Sequence, residues 1–231
     1  LILPPINIDP PNHTDHRRLL LPFFTPKATA EWEPTIRQIC SGLLEDLSGE
    51  AEFDVAAKYA QEIPGDVTAR MLGVPLEDTP QFRSWLHDLL EVGPTDPDVA
   101  RETTNEMMTY LLALTSERLA DKNDGDMVQY LIDQRVNGVG LTDDEIARTL
   151  FLLLIAGVDT TWSALGFSLL HLATNQEDRQ RIAADRHLIP TAVEEFLRAY
   201  SPVFIARVAQ EDTEVCLLYT SPSPRDQRGS G

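Results

Sequence analysis

Apolar residues recur along most of this chain with the spacing of one face of an α-helix. In residues 30–47 the period is close to 3.6, and the apolar positions are Ile36, Ile39, Leu43, Leu44 and Leu47. The same periodicity predicts helices over residues 13–24, 30–47, 54–72, 81–92, 98–119, 127–136, 175–184 and 190–200. Residues 203–209 alternate loosely and could form a strand. We therefore expect a mostly α fold with minor β structure, without internal repeats or a second domain.

The best-defined helix begins after a capping box at residues 142–145, Thr-Asp-Asp-Glu, whose Thr142 hydroxyl and Glu145 carboxylate satisfy free amides reciprocally. Apolar residues then continue from Ile146 to Leu172 almost without interruption, so we expect a helix that is buried on every face. The longest apolar run, residues 150–158, is shorter than the ~20 residues needed to cross a bilayer. No membrane span is therefore expected.

The composition favours a cytoplasmic globular protein. The 231 residues are 42% hydrophobic and 24% charged, which suits one domain with a sizeable core. The net charge of -18 and the pI of about 4.5 oppose binding to nucleic acid or to an anionic membrane. The two cysteines give neither a disulfide framework nor a metal-binding spacing, as in a reducing compartment. The chain starts at Leu1 without a signal sequence, and we expect the natural start to be missing.

The residues from Cys216 to Gly231 differ in character from the rest of the chain. Their first part, Cys-Leu-Leu-Tyr-Thr-Ser-Pro-Ser-Pro-Arg-Asp, resembles the conceptual translation of a transposase sequencing adapter. We therefore expect residues 1–215 to form the folded domain and residues 216–231 to be an artefactual tail. The alternative is a genuine disordered tail rich in Ser and Pro. On the first interpretation, Cys40 is the only natural cysteine in view.

The polar segment 156–161, Ala-Gly-Val-Asp-Thr-Thr, interrupts the apolar helix with residues that are unfavourable there. Glycine costs about 1 kcal/mol relative to alanine inside a helix, and a carboxylate among leucines is costly unless it is paired. The two threonines can bond back to the carbonyls of Ala156 and Gly157 and bend the helix. Such a combination is expected at a functional site. The alternative is a kinked core helix in which Asp159 is hydrogen-bonded.

Three further groups of charged residues are weaker candidates. Glu195 and Arg198 lie at i and i+3 of a predicted helix, a spacing that is also common on solvated faces. His13 and Arg17 lie one helical turn apart and could both donate to an anion, or could form a solvated basic face. Arg207 is a single cation among apolar neighbours and could pack its stem on an apolar surface.

These motifs occur in a defined order along the chain. The segment Asp-Pro-Pro-x-His-Thr-x-x-Arg-Arg is followed by Phe-Thr-Pro, Ala-Gly-x-Asp-Thr-Thr, Glu-x-x-Arg and Arg-Val-Ala. The arrangement resembles the bacterial, soluble cytochrome P-450 family, from His13 to about Val215. The resemblance implies part of the cytochrome P-450 fold, with haem b (iron protoporphyrin IX) as the cofactor.

The resemblance also implies roles for the central helix. Ala156 and Gly157 would lie against the haem, and Gly157 would leave room for dioxygen. Asp159 and Thr160 would be catalytic, because Thr160 would hydrogen-bond the activated oxygen while Asp159 relays protons from solvent. This proton supply lets the O–O bond break heterolytically instead of releasing hydrogen peroxide.

Other positions match the family outside that helix. Three cations would bind the haem propionates through charge-assisted hydrogen bonds, namely His13, Arg17 and Arg207. Glu195 and Arg198 would form a buried structural ion pair behind the haem, so that Glu195→Ala should give an unfolded or haem-free protein. Val203 and Phe204 would line the substrate pocket.

The activity implied by the resemblance is that of a monooxygenase, which inserts one oxygen atom from O2 into a small apolar organic substrate. Electrons would come from NAD(P)H through a ferredoxin or flavodoxin partner. The alternatives are a peroxide-driven haem enzyme and a non-enzymatic, all-helical binding or scaffold protein. The family's axial ligand is a cysteine thiolate in a Gly-rich loop, and no Phe-x-x-Gly-x-x-x-Cys loop occurs here. We therefore expect no metal ligand in this chain, which by itself should be inactive.

Overall fold

The structure is a computed structural model that describes residues 1–122, 125–203, 214–215 and 218–219. Most of these residues are helical, which confirms the mostly α fold. The α-helices are α1 Asn12–Leu20, α2 Pro26–Leu47, α3 Glu62–Leu72, α4 Thr79–His87, α5 Pro97–Ala120, α6 Met127–Asp133, α7 Asp143–Thr174, α8 Gln176–Ala184 and α9 Ile189–Ala199. Short 3-10 turns lie at Leu21–Phe24, Leu76–Asp78 and Arg186–Leu188, and π turns at Ala56–Ala60 and Asp88–Val92.

Two small antiparallel pairs of strands make up the β structure of the described residues. They pair β1 Arg135–Val136 with β2 Val139–Gly140, and β3 Glu214–Val215 with β4 Leu218–Tyr219. The first hairpin corrects the predicted helix over residues 127–136, because α6 ends at Asp133. Its turn residues, Asn137 and Gly138, both have positive φ (51° and 82°), as a two-residue hairpin turn requires. This Asn-Gly pair is a hairpin signal that the helical periodicity obscures.

Side-chain caps explain where several helices begin. Thr25 and Asp96 accept backbone N–H bonds at the starts of α2 and α5, and a proline follows each of them. Before α7, Thr142 Oγ1 accepts from the Glu145 amide at 3.2 Å, and Glu145 Oε2 accepts from the Thr142 amide at 2.8 Å. The predicted capping box is therefore confirmed.

The helix predicted over residues 54–72 divides into a π turn and α3. Pro64 lies in the first turn of α3, where it cannot donate to the carbonyl of Ala60, so one α-helical ladder cannot run through both parts. The helix ends at Gly73, as predicted, with φ of 75°. The side chain of Asp126 occupies the space that a Cβ atom at this position would need, so glycine is required there.

The hydrophobic core lies where the first half of α7 packs against α3 and α5. The apolar residues that α7 buries are Ile146, Ala147, Leu150, Phe151, Leu153, Leu154 and Val158. The facing helices bury Ala69, Leu72, Met107 and Leu111 against the same cluster. Full burial of one large apolar side chain contributes about 1.5–3 kcal/mol to stability. Because α7 buries several such side chains against α3 and α5, it is the central helix of the core.

The second half of α7 differs from the prediction of a helix buried on every face. Every buried α7 residue lies between Ile146 and Val158, whereas Phe167 and Leu170 are 48% and 57% exposed in the described part of the protein. Beyond Val158 the helix meets α8 and α9, which cover these two side chains only in part, and Phe167 stacks on Tyr200. The prediction is therefore wrong for this half, because burial depends on the neighbouring elements and not only on apolar composition.

Of the helices that the structure describes, α7 alone is long and apolar enough to cross a membrane. It has 32 residues, and its most apolar window of 18 residues has a mean hydropathy of 1.6. This criterion averages hydropathy over a window, whereas the sequence expectation rested on the length of the longest uninterrupted apolar run. Core helices of water-soluble proteins meet the criterion too, and α7 packs its first half into the core, so the evidence for a membrane span is weak.

Candidate functional site

The polar segment of α7 faces the open side of the helix. Ala156 and Thr161 are exposed, and Thr160 is half-buried. The Thr160 hydroxyl donates a hydrogen bond to the Ala156 carbonyl at 2.6 Å, which confirms the predicted back-bonding for this threonine. Among the described residues, no such bond joins Thr161 to Gly157. Thr160 and Ala156 thus lie one turn apart on one accessible face of α7.

Asp159 is a half-buried carboxylate without a counter-charge. Within the part of the chain that the structure describes, it makes no hydrogen bond or ion pair. Burial raises the pKa of Asp159, and repulsion from the Glu91 carboxylate raises this pKa further. Glu91 belongs to the π turn after α4, where its Oε2 lies 3.1 Å from Nδ1 of His87. These contacts do not match the alternative of a hydrogen-bonded core carboxylate.

Gly157 lies where α7 closely approaches α3. A Cβ atom at this position would lie 3.0 Å from Oγ1 of the buried Thr68, which is tighter than an ordinary van der Waals contact. The absence of a side chain therefore permits the two helices to pack. The room for dioxygen that the resemblance assigns to Gly157 stays a prediction.

A largely apolar groove of about 620 Å³ runs between the second half of α7 and α9. Such a volume is typical of a small-molecule site (~300–1,000 Å³). Its α7 wall begins at Thr160 and Thr161 and continues with Ala164, Leu165, Ser168 and Leu172. Its opposite wall includes Val193, Phe196, Pro202 and Val203. The structure thus brings the predicted catalytic Thr160 and the predicted pocket residue Val203 to one groove.

His13 and Arg17 lie one turn apart on α1, as predicted. Neither side chain makes a hydrogen bond or an ion pair within the described residues. The helix α1 reaches α7 near the start of the latter, where Nε2 of His16 lies 3.9 Å from Oε1 of Glu145. Within the described residues, no hydrogen bond or ion pair joins either predicted propionate ligand to the polar segment of α7, and both side chains remain available to bind an anion.

Glu195 and Arg198 form the predicted ion pair. The Arg198 guanidinium donates to both carboxylate oxygens of Glu195, at 2.6 and 2.8 Å. This bond lowers the pKa of Glu195 and raises the pKa of Arg198. Both side chains are exposed in the described chain. The burial expected for this pair concerns the complete protein and stays a prediction. The loss expected for Glu195→Ala rested on burial, and exposed pairs contribute little to stability.

Two features of this region are not predicted by the sequence. The proximity of Glu91 to Asp159 depends on how the segment after α4 packs, and no local pattern indicates it. His171 joins α7 to α8 and α9 through hydrogen bonds to Asp178 and Tyr200. A histidine among leucines near the end of an apolar helix is the signal that could have identified it.

Some predicted residues lie outside the described part of the chain. These are Phe204, Arg207 and Cys216, and their roles stay predictions. Cys40 is a free, half-buried cysteine on α2. In the residues that the structure describes, no group of three or more His, Cys, Asp or Glu side chains could hold a metal ion.

Residues 95–216, which include α7 and α9, match the family model described as Cytochrome P450. Because this match covers more than half of the chain, the chain belongs to the cytochrome P450 family. Membership implies a haem cofactor and confirms both the predicted family and its partial fold.

Individual relatives agree with this assignment. Vitamin D(3) 25-hydroxylase of Pseudonocardia autotrophica is 36% identical over 198 residues, which cover 86% of this chain and 49% of the relative. Erythromycin C-12 hydroxylase of Saccharopolyspora erythraea is 36% identical over 227 residues, or 95% of this chain and 55% of the relative. The crystal structure of CYP109E1 from Bacillus megaterium in complex with testosterone has a TM-score of 0.82 at 31% identity, covering 92% of this chain and 57% of that one. The chain spans about half the length of the relatives it matches.

The described residues fit a haem, which is a flat, largely apolar ring bearing two carboxylates. The open face of α7 at Ala156 and Thr160 continues into an apolar groove against which such a ring can pack. His13 and Arg17 provide donors whose side chains have no other partner in the described part of the molecule. Charge-assisted bonds from such donors to carboxylates are among the stronger hydrogen bonds in proteins.

Proposed function

We propose that this chain is part of a monooxygenase that uses haem to insert one oxygen atom from O2 into a small apolar organic substrate. The observation that carries the proposal is the interruption of α7, where Asp159 lacks a counter-charge beside a hydroxyl on an open face. Packing against Thr68 accounts for Gly157, but a scaffold protein has no use for the half-buried Asp159 carboxylate without a counter-charge. A peroxide-driven enzyme can dispense with the acid–alcohol pair. The family assignment leaves the scaffold alternative without support.

The haem supplies the oxygen-activating iron when it is bound. Asp159 retains its proton to higher pH than an ordinary carboxyl group, because burial and Glu91 raise its pKa. A partly exposed group of this kind can take protons from solvent and pass them to a neighbouring hydroxyl. The Thr160 hydroxyl now donates to Ala156, and rotation about χ1 would turn it toward the open face of α7. We assign proton delivery to Asp159 and hydrogen-bond donation to Thr160.

The remaining assignments follow the family pattern. We assign propionate binding to His13, Arg17 and Arg207, and contact with the ring to Ala156 and Gly157. Two residues, Glu195 and Arg198, would orient α9 in a chain of full family length.

The substrate pocket would include Val203, which lines the apolar groove beside Thr160, and Phe204. The apolar lining favours substrates with large apolar surfaces, and named relatives include hydroxylases of vitamin D(3) and erythromycin. Electrons would come from NAD(P)H through a ferredoxin or flavodoxin, in the cytoplasm. We further propose that residues 1–215 are a partial cytochrome P450 domain and that residues 216–231 are an artefactual tail. Sequencing the gene past codon 215 tests this boundary, since continuous coding through the same residues would refute it.

The experiment for the proposed function uses the gene product extended to the length of its relatives and loaded with haem. A carbon-monoxide difference spectrum of the reduced protein should show the Soret band of thiolate-ligated haem. The matched variant Thr160→Ala should keep this spectrum, because Thr160 is not an iron ligand. A protein that takes up no haem, or that ligates iron through a group other than sulfur, would refute the proposal.

A further inference from the structure

Three residues at the meeting point of α7, α8 and α9 form a hydrogen-bonded chain. The Tyr200 hydroxyl lies 2.7 Å from Nδ1 of His171, and Nε2 of the same imidazole lies 3.0 Å from Oδ2 of Asp178. An ionised carboxylate can only accept, so Nε2 carries the proton and a neutral His171 presents an unprotonated Nδ1. Tyr200 therefore donates its phenolic proton to the imidazole.

The surroundings hold this chain in place. The His171 ring lies 5.2 Å from the Phe196 ring, and the Tyr200 ring stacks on Phe167 at 5.9 Å with an interplanar angle of 9°. The side chain of His171 is 19% exposed, and Asp178 is also paired with Arg181 at 3.2 Å. Stacking and hydrogen bonding together fix the donor and the acceptor before any reaction takes place.

We propose that Tyr200, His171 and Asp178 form a proton-coupled redox site. A one-electron oxidant removes one electron from the Tyr200 side chain, the O–H bond breaks, and the proton moves to Nδ1 of His171. The products are a neutral tyrosyl radical and an imidazolium, which the Asp178 carboxylate stabilises. A soluble thiol-class reductant returns the electron, and the proton goes back to the phenolic oxygen.

The identity of the oxidant rests on the proposed function, because the oxidant class is the haem–oxygen chemistry of a monooxygenase. Phe196 lines the apolar groove that also contains Thr160, and its ring lies 6.5 Å from the Tyr200 ring. An oxidising equivalent that leaves the groove without reacting with substrate therefore has a short path to this tyrosine. The site would protect the protein by accepting that equivalent in a reversible form.

The contrast with Tyr110 shows why the base matters. The Tyr110 hydroxyl also donates to a fixed acceptor, Oδ2 of Asp78, at 2.6 Å. An ordinary aspartate has a pKa of about 3.9 and an ordinary histidine about 6.5, so a carboxylate is the weaker proton acceptor. Tyr110 is consequently a matched control, with a similar hydrogen bond but a poorer base.

The test uses the full-length protein and a photogenerated ruthenium(III) trisbipyridine oxidant, so that radical formation does not depend on turnover. Electron paramagnetic resonance and transient absorption should detect a tyrosyl radical that Tyr200→Phe removes and Tyr110→Phe retains. His171→Gln keeps a polar side chain but lacks a comparable base, and radical formation should slow by about 10²-fold, the lower range for a positioned base. Circular dichroism checks that each variant is folded.

A solvent deuterium isotope effect provides a second readout on the unmodified protein. Radical formation at Tyr200 should be slower in deuterated solvent, because the phenolic proton moves to Nδ1 of His171 as the electron leaves.

Equal radical yields in Tyr200→Phe and Tyr110→Phe, or an unchanged rate in His171→Gln, would overturn the proposal. If His171→Gln does not fold, the absence of the isotope effect in the unmodified protein has the same force. The carbon-monoxide spectrum does not involve Tyr200. A failure of the redox proposal can therefore be distinguished from a failure of the proposed monooxygenase function.

Discussion

Replacing Gly157 by alanine should destabilise the protein, although alanine is the better helix former. The new Cβ atom would lie 3.0 Å from Oγ1 of Thr68, and ordinary contacts begin near 3.4 Å. Thr68 is only 3% exposed and lies on the neighbouring helix α3, so it has little freedom to move away. Relief of the contact requires the Thr68 side chain or its helix to move by a few tenths of an ångström.

Two opposing terms set the expected magnitude. Overpacking a well-packed interior costs about 1–3 kcal/mol, whereas exchanging glycine for alanine inside a helix gains about 1 kcal/mol. The net change for Gly157→Ala is therefore a loss of about 0–2 kcal/mol. Gly166 lies on the same helix with no atom within 4 Å of its Cβ position, so Gly166→Ala should show the gain alone.

Urea denaturation measures these differences in the wild type, in Gly157→Ala and in Gly166→Ala. The same measurement compares Thr68→Ala with and without Gly157→Ala. In the Thr68→Ala background the hydroxyl is absent, and the effect of Gly157→Ala should reverse to a gain of about 1 kcal/mol. Thermal denaturation should follow with roughly 2–4 °C per kcal/mol for a chain of this size. The packing argument fails if Gly157→Ala stabilises the wild type as much as Gly166→Ala does.

Further predictions concern the site and the core. Glu91→Gln should lower the pKa of Asp159, as followed by NMR titration, because it removes a like charge. Since the pKa of Asp159 is raised in the folded state, the stability that its protonated form contributes is lost as the pH rises through the raised pKa. Glu91→Gln should make this pH-dependent loss of stability smaller. An unchanged titration of Asp159 would contradict the assigned repulsion. Leu154→Ala should lower the free energy of unfolding by about 2–5 kcal/mol in urea denaturation. Leu170→Ala, on the exposed half of α7, should change it by no more than about 0.5 kcal/mol. Equal losses of stability would refute the described burial. In the full-length protein, Thr160→Ala should uncouple NAD(P)H consumption from product and increase hydrogen peroxide release, and unchanged coupling would remove Thr160 from the hydrogen-bonding role assigned to it.

Features governed by neighbours in the chain could be predicted from the sequence. The capping box at Thr142, the end of α3 at Gly73 and the back-bonding of Thr160 each depend on groups within about one helical turn. The family could also be recognised from the order of its motifs, because this recognition requires only residue identities and their spacing. The hairpin turn at Asn137 shows where prediction from local patterns fails. The helical periodicity predicts a helix over residues 127–136, whereas the Asn-Gly pair that follows favours a hairpin turn.

The sequence by itself determined that the chain is mostly helical, that its central helix is interrupted by a polar segment, and that the chain belongs to the cytochrome P450 family. Only the tertiary structure decided that α7 buries its first half and exposes parts of its second, that Gly157 faces Thr68, and that Asp159 lies near Glu91 instead of a cation. It also decided that His171 joins Tyr200 to Asp178. The physical reason is that caps and helical periods arise from bonds within a few residues, whereas burial, repulsion and proton sharing depend on which distant segments are brought into contact.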